Sequence, residues 1–142
     1  MAVVIPQVIT EDRAAGAESP EGSVIFSDNG SIRFNPTVAG SRTTWTWSGW
    51  VKRNKIGTTS SLFSAGDLSN AANRVSIEFD SDQIRVVFGD GSYVVTSEQK
   101  FRDSRWYHFV FAVDTSQFNA FDRVKMYVNG TQITKYASTP TY

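Results

Sequence analysis

Residues 74–80, RVSIEFD, alternate without a break: Val75, Ile77 and Phe79 fall on one side of an extended chain, Ser76, Glu78 and Asp80 on the other. Successive side chains of a strand point to opposite faces, so this period predicts a strand with one face wet. Residues 123–128 repeat it, with Val124, Met126 and Val128 opposing Arg123, Lys125 and Tyr127. Residues 106–113 depart from it. Tyr107, Phe109, Phe111 and Val113 share one side, yet Val110 and Ala112 make the other side apolar too. That pattern predicts a central strand covered on both faces.

The other segments from residue 23 onward read as short strands between turns. SVIFS and SIRFN flank Asp28-Asn29-Gly30, a hairpin signal. TTWTWSGWVKR, SSLFSAG, QIRVVFG and SYVVTSE follow, with turns at Ser81-Asp82 and Gly89-Asp90-Gly91. Asn129-Gly130 closes RVKMYV with the strongest short hairpin cue in the chain. No segment has a convincing helical period; SEQKFRDSRW has room for one helical turn at most. Serial antiparallel hairpins of this kind predict an all-β sandwich or barrel. Residues 1–22 stand apart, an apolar AVVIPQVI followed by TEDRAAGAESPEGS, and are expected to form an extended arm and linker ahead of a sandwich over 23–142.

The chain's 142 residues suffice for one core. Its 14 basic and 14 acidic side chains balance, which removes the electrostatic reason to expect nucleic acid or an anionic membrane as partner. The absence of cysteine excludes disulfides, thiolate metal sites and a cysteine nucleophile. MAVVIPQVITEDRAAG has no basic n-region and is not read as a signal peptide. No apolar run approaches the roughly 20 residues that span a bilayer.

Three of the four tryptophans fall within WTWSGW, residues 45–50. Trp45, Trp47, Gly49 and Val51 share one face and are expected in the core. Trp50 lies among Thr46, Ser48 and Lys52 on the other, so it is either covered by a loop or exposed for a partner.

TWTWSGWVKR, SLFSAGD, NRVSIEFDSDQIRVVFGDGS, DSRWYHFVFAVD and RVKMYVNGTQI, in that order and spacing, resemble a laminin-G-like domain of the concanavalin A-like lectin/glucanase superfamily. The resemblance covers about residues 23–134 and implies a jelly-roll sandwich of two antiparallel sheets. The opening MAVVIPQVITEDRAAGA with RTTWTWSGWVKR also looks like the N-terminus of virion proteins of marine tailed bacteriophages, of tail-fibre or lectin-like structural type. The family pattern continues with further strands after Tyr-Val-Asn-Gly, one of which returns beside the N-terminal strand. With KYASTPTY in that place, the sandwich is expected to be incomplete at its C-terminus, either because the polypeptide continues or because another chain supplies a strand.

Each candidate site has a plain structural alternative. Glu78 and Asp80 in EFDSDQ share a face as a glycosidase pair would, but Asp82 stands where the family's acid/base glutamate would be, and no catalytic site is assigned. His108, the only histidine, has no nucleophile or orienting group nominated by the sequence and is read as packing. Asp67, Asp90 and Asp114 lie at positions where some laminin-G domains bind calcium. Isolated aspartates in Gly-rich turns more often make Asx-turns, and no metal or cofactor is assigned. Asn29-Gly-Ser and Asn129-Gly-Thr match glycosylation acceptors but lie in hairpin turns. Trp50, Tyr93 and Tyr127 are the aromatics read as off the core, candidates for stacking on a sugar or for an interface.

The expected function is a non-enzymatic virion structural protein of fibre or appendage type, assembled in the host cytoplasm. Val3, Val4, Ile5, Val8 and Ile9 are the arm residues expected to dock on other virion subunits, and an open sheet edge points to a homo-oligomer. The alternatives are a carbohydrate-binding module for host-surface glycan and a capsid decoration protein, with a glycan hydrolase last.

Overall fold

The computed structural model describes residues 3–6, 22–27, 30–67, 69–89, 91 and 93–138. The chain divides into two compact units, Met1–Ala39 and Gly40–Tyr142. In the first, β1 (Val3–Pro6) pairs antiparallel with β2 (Gly22–Ile25), Val3 opposite Ile25 and Pro6 opposite Gly22. The start of the expected arm is thus a paired strand, and Val8 and Ile9 lie outside the described residues. Two strands alone are marginal, so this hairpin has little intrinsic hold on its conformation. The expected hairpin between SVIFS and SIRFN does not form, because residues 31–36 are irregular. Val3, Val4 and Ile5 are all β-branched, whereas Ser31, Arg33 and Asn35 are poor strand formers, and propensity favours the first partner.

The second unit is the sandwich. One sheet has four strands in the order β10-β9-β8-β3, the other five in the order β11-β7-β6-β5-β4, all neighbours antiparallel. The four-stranded sheet comprises β3 (Thr44–Lys52), β8 (Trp106–Asp114), β9 (Val124–Val128) and β10 (Thr131–Gln132). The five-stranded sheet comprises β4 (Ser60–Gly66), β5 (Arg74–Asp80), β6 (Gln83–Phe88), β7 (Tyr93–Lys100) and β11 (Tyr136–Ser138). The expected all-β antiparallel sandwich is therefore the fold, and the only helical pieces described are single 3-10 turns at Ala71–Asn73 and Ala120–Asp122. Sequence beyond the Asn129-Gly130 hairpin adds strand rather than tail: β11 crosses to the other sheet and sets Tyr136 opposite Ser97.

The alternations decide which atoms make the core. Ile77, Phe79, Ile84 and Val86 from the five-stranded sheet meet Phe109, Phe111, Val124 and Met126 from the other, all buried. Phe101, just past β7, closes one end. Its ring meets Phe109 at 5.1 Å and 77°, and Phe79 meets Phe109 at 5.8 Å and 75°. Edge-to-face contacts of this kind add about 0.5–1.5 kcal/mol each beyond area burial. Trp45 and Trp47 enter the same layer, Trp47 against Phe111 at 5.8 Å. β8 is central, as its apolar character requires, but only its inner face is buried: Val110 and Ala112 are half-buried and Trp106 is exposed. Sheet neighbours shield short side chains such as these, and apolar residues on both faces do not oblige a second covering layer.

At the Phe101 end, Arg53 follows β3 directly and is 5 % exposed. Its Nη1 donates to Asp82 Oδ1 at 2.9 Å and to the Phe101 carbonyl at 2.6 Å, and its guanidinium lies 4.3 Å from the Phe79 ring centroid. Asp82 Oδ1 also accepts the Gly57 N–H at 2.6 Å. Asp82 sits in the β5–β6 turn at φ +77, a conformation usually left to glycine or asparagine. The side chain explains its use: it joins the β3 end, the following loop and the β7 end across both sheets. The Gly57 amide above all, then Arg53, holds its carboxyl below the usual aspartate range, against the opposing effect of burial.

Two predictions follow from this packing. Gly66 at the end of β4 has φ +113, and a Cβ there would lie 2.1 Å from the Asn73 carbonyl oxygen. Gly66→Ala is expected to lower unfolding free energy by more than about 1 kcal/mol in urea titrations, whereas Gly40→Ala, whose methyl meets nothing within 4 Å, stays within about 0.5 kcal/mol. For Asp82, a folded pKa below the unfolded value means its stabilisation is fully present above the unfolded aspartate value of about 3.9 and is lost as pH falls through the folded one. The Tm gap between wild type and Asp82→Asn should hold from neutral pH to about 5 and shrink below about 4; a constant gap would show that Asp82 acts without its charge.

Candidate functional site

The outer face of the four-stranded sheet follows from the β3–β8 register, which sets Trp50 opposite His108, Ser48 opposite Val110 and Lys52 opposite Trp106. β9 extends it by placing Tyr127 opposite Val110, and β10 by placing Gln132 opposite Tyr127. Trp50 is 63 % exposed and Trp106 46 % exposed. The Trp50 ring rests against His108 at 5.1 Å between centroids, and His108 Nε2 and Ser48 Oγ are 3.0 Å apart. His108 backbone N–H donates to Asn129 Oδ1 at 2.9 Å, so the β9–β10 turn steadies the same strand. One end of the sheet thus carries two exposed indoles and an imidazole, flanked by Ser48, Lys52 and the half-buried Tyr127. Flat rings beside hydroxyl, imidazole and ammonium groups suit a ligand with both apolar faces and hydroxyls.

Of the three aromatics expected off the core, this face brings together Trp50 and Tyr127. Tyr93 is a correction: it is 7 % exposed and its ring packs edge-on against Phe88 at 5.2 Å. The Tyr-Val-Val run is apolar in both phases, and β7 resolves it with Tyr93, Val95 and Ser97 inward. Trp106 is the residue that the sequence reading passed over. Its signal was its phase, two residues before His108 on the outward face of β8.

The Ser48–His108 pair lacks the rest of a hydrolytic apparatus among the described residues, since no third side chain bonds the imidazole. Glu78 and Asp80 do share the outer face of the other sheet, but one arginine holds both. Arg85 Nε and Nη2 reach Glu78 Oε1 at 2.7 and 2.6 Å, and Nη1 reaches Asp80 Oδ2 at 2.6 Å. A retaining mechanism needs two carboxyls free to reach across the scissile bond, and here both are engaged by one guanidinium.

The loop aspartates serve their own turns. Asp67 accepts from Ser69 N–H and Oγ–H, and Asp114 from Ser116 N–H and Oγ–H and from Gln117 Nε2, which lower both carboxyls below the usual range. Asp90 lies outside the described residues. Among the described residues, no three His, Asp or Glu side chains gather as a metal site would require.

A laminin-G family model of the concanavalin A-like lectin/glucanases superfamily matches residues 26–142. No curated protein and no solved structure matches the chain. The matched span includes both sheets and every residue of the outer face just described. The chain belongs to the concanavalin A-like lectin/glucanases superfamily.

Proposed function

We propose that the sandwich is a non-catalytic glycan-recognition module whose ligand surface is the outer face of the four-stranded sheet around Trp50. The observation that carries this reading is a mostly exposed indole held against His108, with a second exposed indole, Trp106, on the same face. A large aromatic costs free energy to leave in water, and exposed, rigidly backed aromatics are what binding surfaces use. Ser48, Lys52 and Gln132 supply donors and acceptors around the rings. The Arg85 clamp on Glu78 and Asp80 supports binding without cleavage.

A second reading adds a structural role in a virion, of tail-fibre or appendage type. It rests on the Met1–Ala39 unit, where Val24, Ile25, Phe26, Ile32, Phe34 and Val38 are all exposed. Grouped exposed apolar residues mark surfaces that assemble with other proteins. In this arrangement the unit, including arm residues Val3, Val4 and Ile5, joins neighbouring subunits while the sandwich contacts host-surface glycan.

Trp50→Ala and Trp106→Ala should each weaken binding to whichever glycan the wild type selects on an array by about tenfold or more, the loss of one stacking contact. Their melts should stay close to wild type, because neither residue belongs to the buried core. Unchanged glycan affinity in both variants would remove this face as the site. For the assembly role, deleting residues 2–20 should leave the cooperative melt of the sandwich intact while abolishing incorporation into particles; normal incorporation would contradict it.

A further inference from the structure

A groove of about 390 Å³, lined by Glu98, Gln99, Gln132, Ile133, Thr134 and Lys135, lies along the short run that carries the chain from β10 to β11. That run passes from one sheet to the other, and its backbone is fixed at three points. Ile133 is buried, its N–H donates to the Met126 carbonyl at 2.8 Å, and its own carbonyl accepts the Tyr136 hydroxyl at 2.7 Å. The Lys135 carbonyl accepts the Glu98 N–H at 3.0 Å, which ties the run to β7. With Ile133 turned inward, its neighbours Gln132 and Thr134 are left exposed, as is Lys135.

Gln132 belongs to two surfaces at once. It lines the groove, and it also ends a row of outward side chains that crosses all four strands: Ser48 opposite Val110, Val110 opposite Tyr127, Tyr127 opposite Gln132. Trp50 and His108 form the adjacent row, one pleat further along the same two strands. Three strand spacings separate β3 from β10, about 14 Å, the length of about three linked sugar rings. Val110, between the two ends, is short and half-buried, so the floor there is low. The chemistry changes along this path. The Trp50 end offers ring faces, whereas the groove offers the carboxylate of Glu98, the amides of Gln99 and Gln132, the hydroxyl of Thr134 and the ammonium of Lys135. All of these bond hydroxyls.

We propose that this groove is the far subsite of the glycan surface, so that the ligand is an oligosaccharide of about four or more units lying across the strands, and not a single terminal sugar. The proposal rests on the reading of the Trp50 face as a glycan surface. One unit stacks on Trp50, the chain passes over Val110 and Tyr127, and the hydroxyls of the last unit bond Gln132, Thr134, Lys135 and Glu98. Exposed polar groups bind water nearly as well as a free sugar, so the groove alone holds little. A chain already seated on Trp50 brings its own far end to the groove at high effective concentration, and the same weak contacts then add to affinity.

The test is a length series, from disaccharide to hexasaccharide, of the glycan that the wild type selects on an array. Affinity should rise by about tenfold or more from the disaccharide to the tetrasaccharide and then level off. The double variant Gln132→Ala, Lys135→Ala should bind the tetrasaccharide about fivefold more weakly and the disaccharide as the wild type does. Both side chains are exposed, so the variant should fold, and its melt checks this. In NMR titrations of the wild type, the Thr134 and Lys135 amides should shift with the tetrasaccharide and stay still with the disaccharide; if the double variant fails to fold, these shifts decide. Trp50-dependent binding of equal affinity for both lengths, or Thr134 and Lys135 amides unmoved by the tetrasaccharide, overturns the subsite and leaves the Trp50 reading standing. Glycan binding that Trp50→Ala and Trp106→Ala do not weaken, or no glycan binding at all, removes that reading and the subsite with it.

Discussion

The pairing of β3 with β8 fixes which side of the sandwich Ser48, Trp50, Lys52, Trp106 and His108 of the candidate site occupy. Nine consecutive residue pairs, Thr44 opposite Asp114 through Lys52 opposite Trp106, keep one register. Side chains alternate with a period of two, so a slip of β3 by one residue would send Trp45 and Trp47 to water and bring Thr46 and Ser48 into the core. Each large apolar side chain that stays buried contributes roughly 1.5–3 kcal/mol, which sets the bias toward the observed register. Gly49 belongs to the same constraint. Its position under the Trp47 indole leaves only 3.0 Å for a Cβ, so the ring can lie across the strand.

The same alternation places Trp50 and Trp106 on the outer face, the face proposed for glycan recognition. Trp50 and Trp106 are not surplus core residues; they are the residues that the register assigns to the other side. The Arg53–Asp82 contact bears on them as well. Arg53 is the first residue after β3, and its bonds to Asp82 and Phe101 anchor the strand end that carries Trp50 and Lys52. A rigid backing of this kind limits the entropy lost when a ligand docks on the rings.

Much of the sandwich was legible in the sequence because its strands carry local signals. RVSIEFD and RVKMYV alternate, Ser81-Asp82 and Asn129-Gly130 are turn pairs, and WYHFVFAVD becomes β8 over its full length. What escaped had no local signal. Arg53 and Asp82 lie 29 residues apart, and nothing near either one announces a buried ion pair. Tyr93 sits in a run that is apolar in both phases, so only the packing against Phe88 could place it. The β1–β2 pairing and the crossing of β11 are choices among several short, weak strands, and long-range competition settles those. For the candidate site, the phase of Trp50 was readable, but its contact with His108 required knowing that β3 and β8 are neighbours and in what register.

The four tryptophans allow one direct test. Trp45 and Trp47 lie in the core layer, Trp50 and Trp106 on the outer face. Their four indole N–H resonances can be followed by NMR while a selected glycan is titrated. The account predicts saturable shifts at Trp50 and Trp106 with Trp45 and Trp47 nearly still. Saturable binding that leaves the Trp50 resonance unmoved would contradict it.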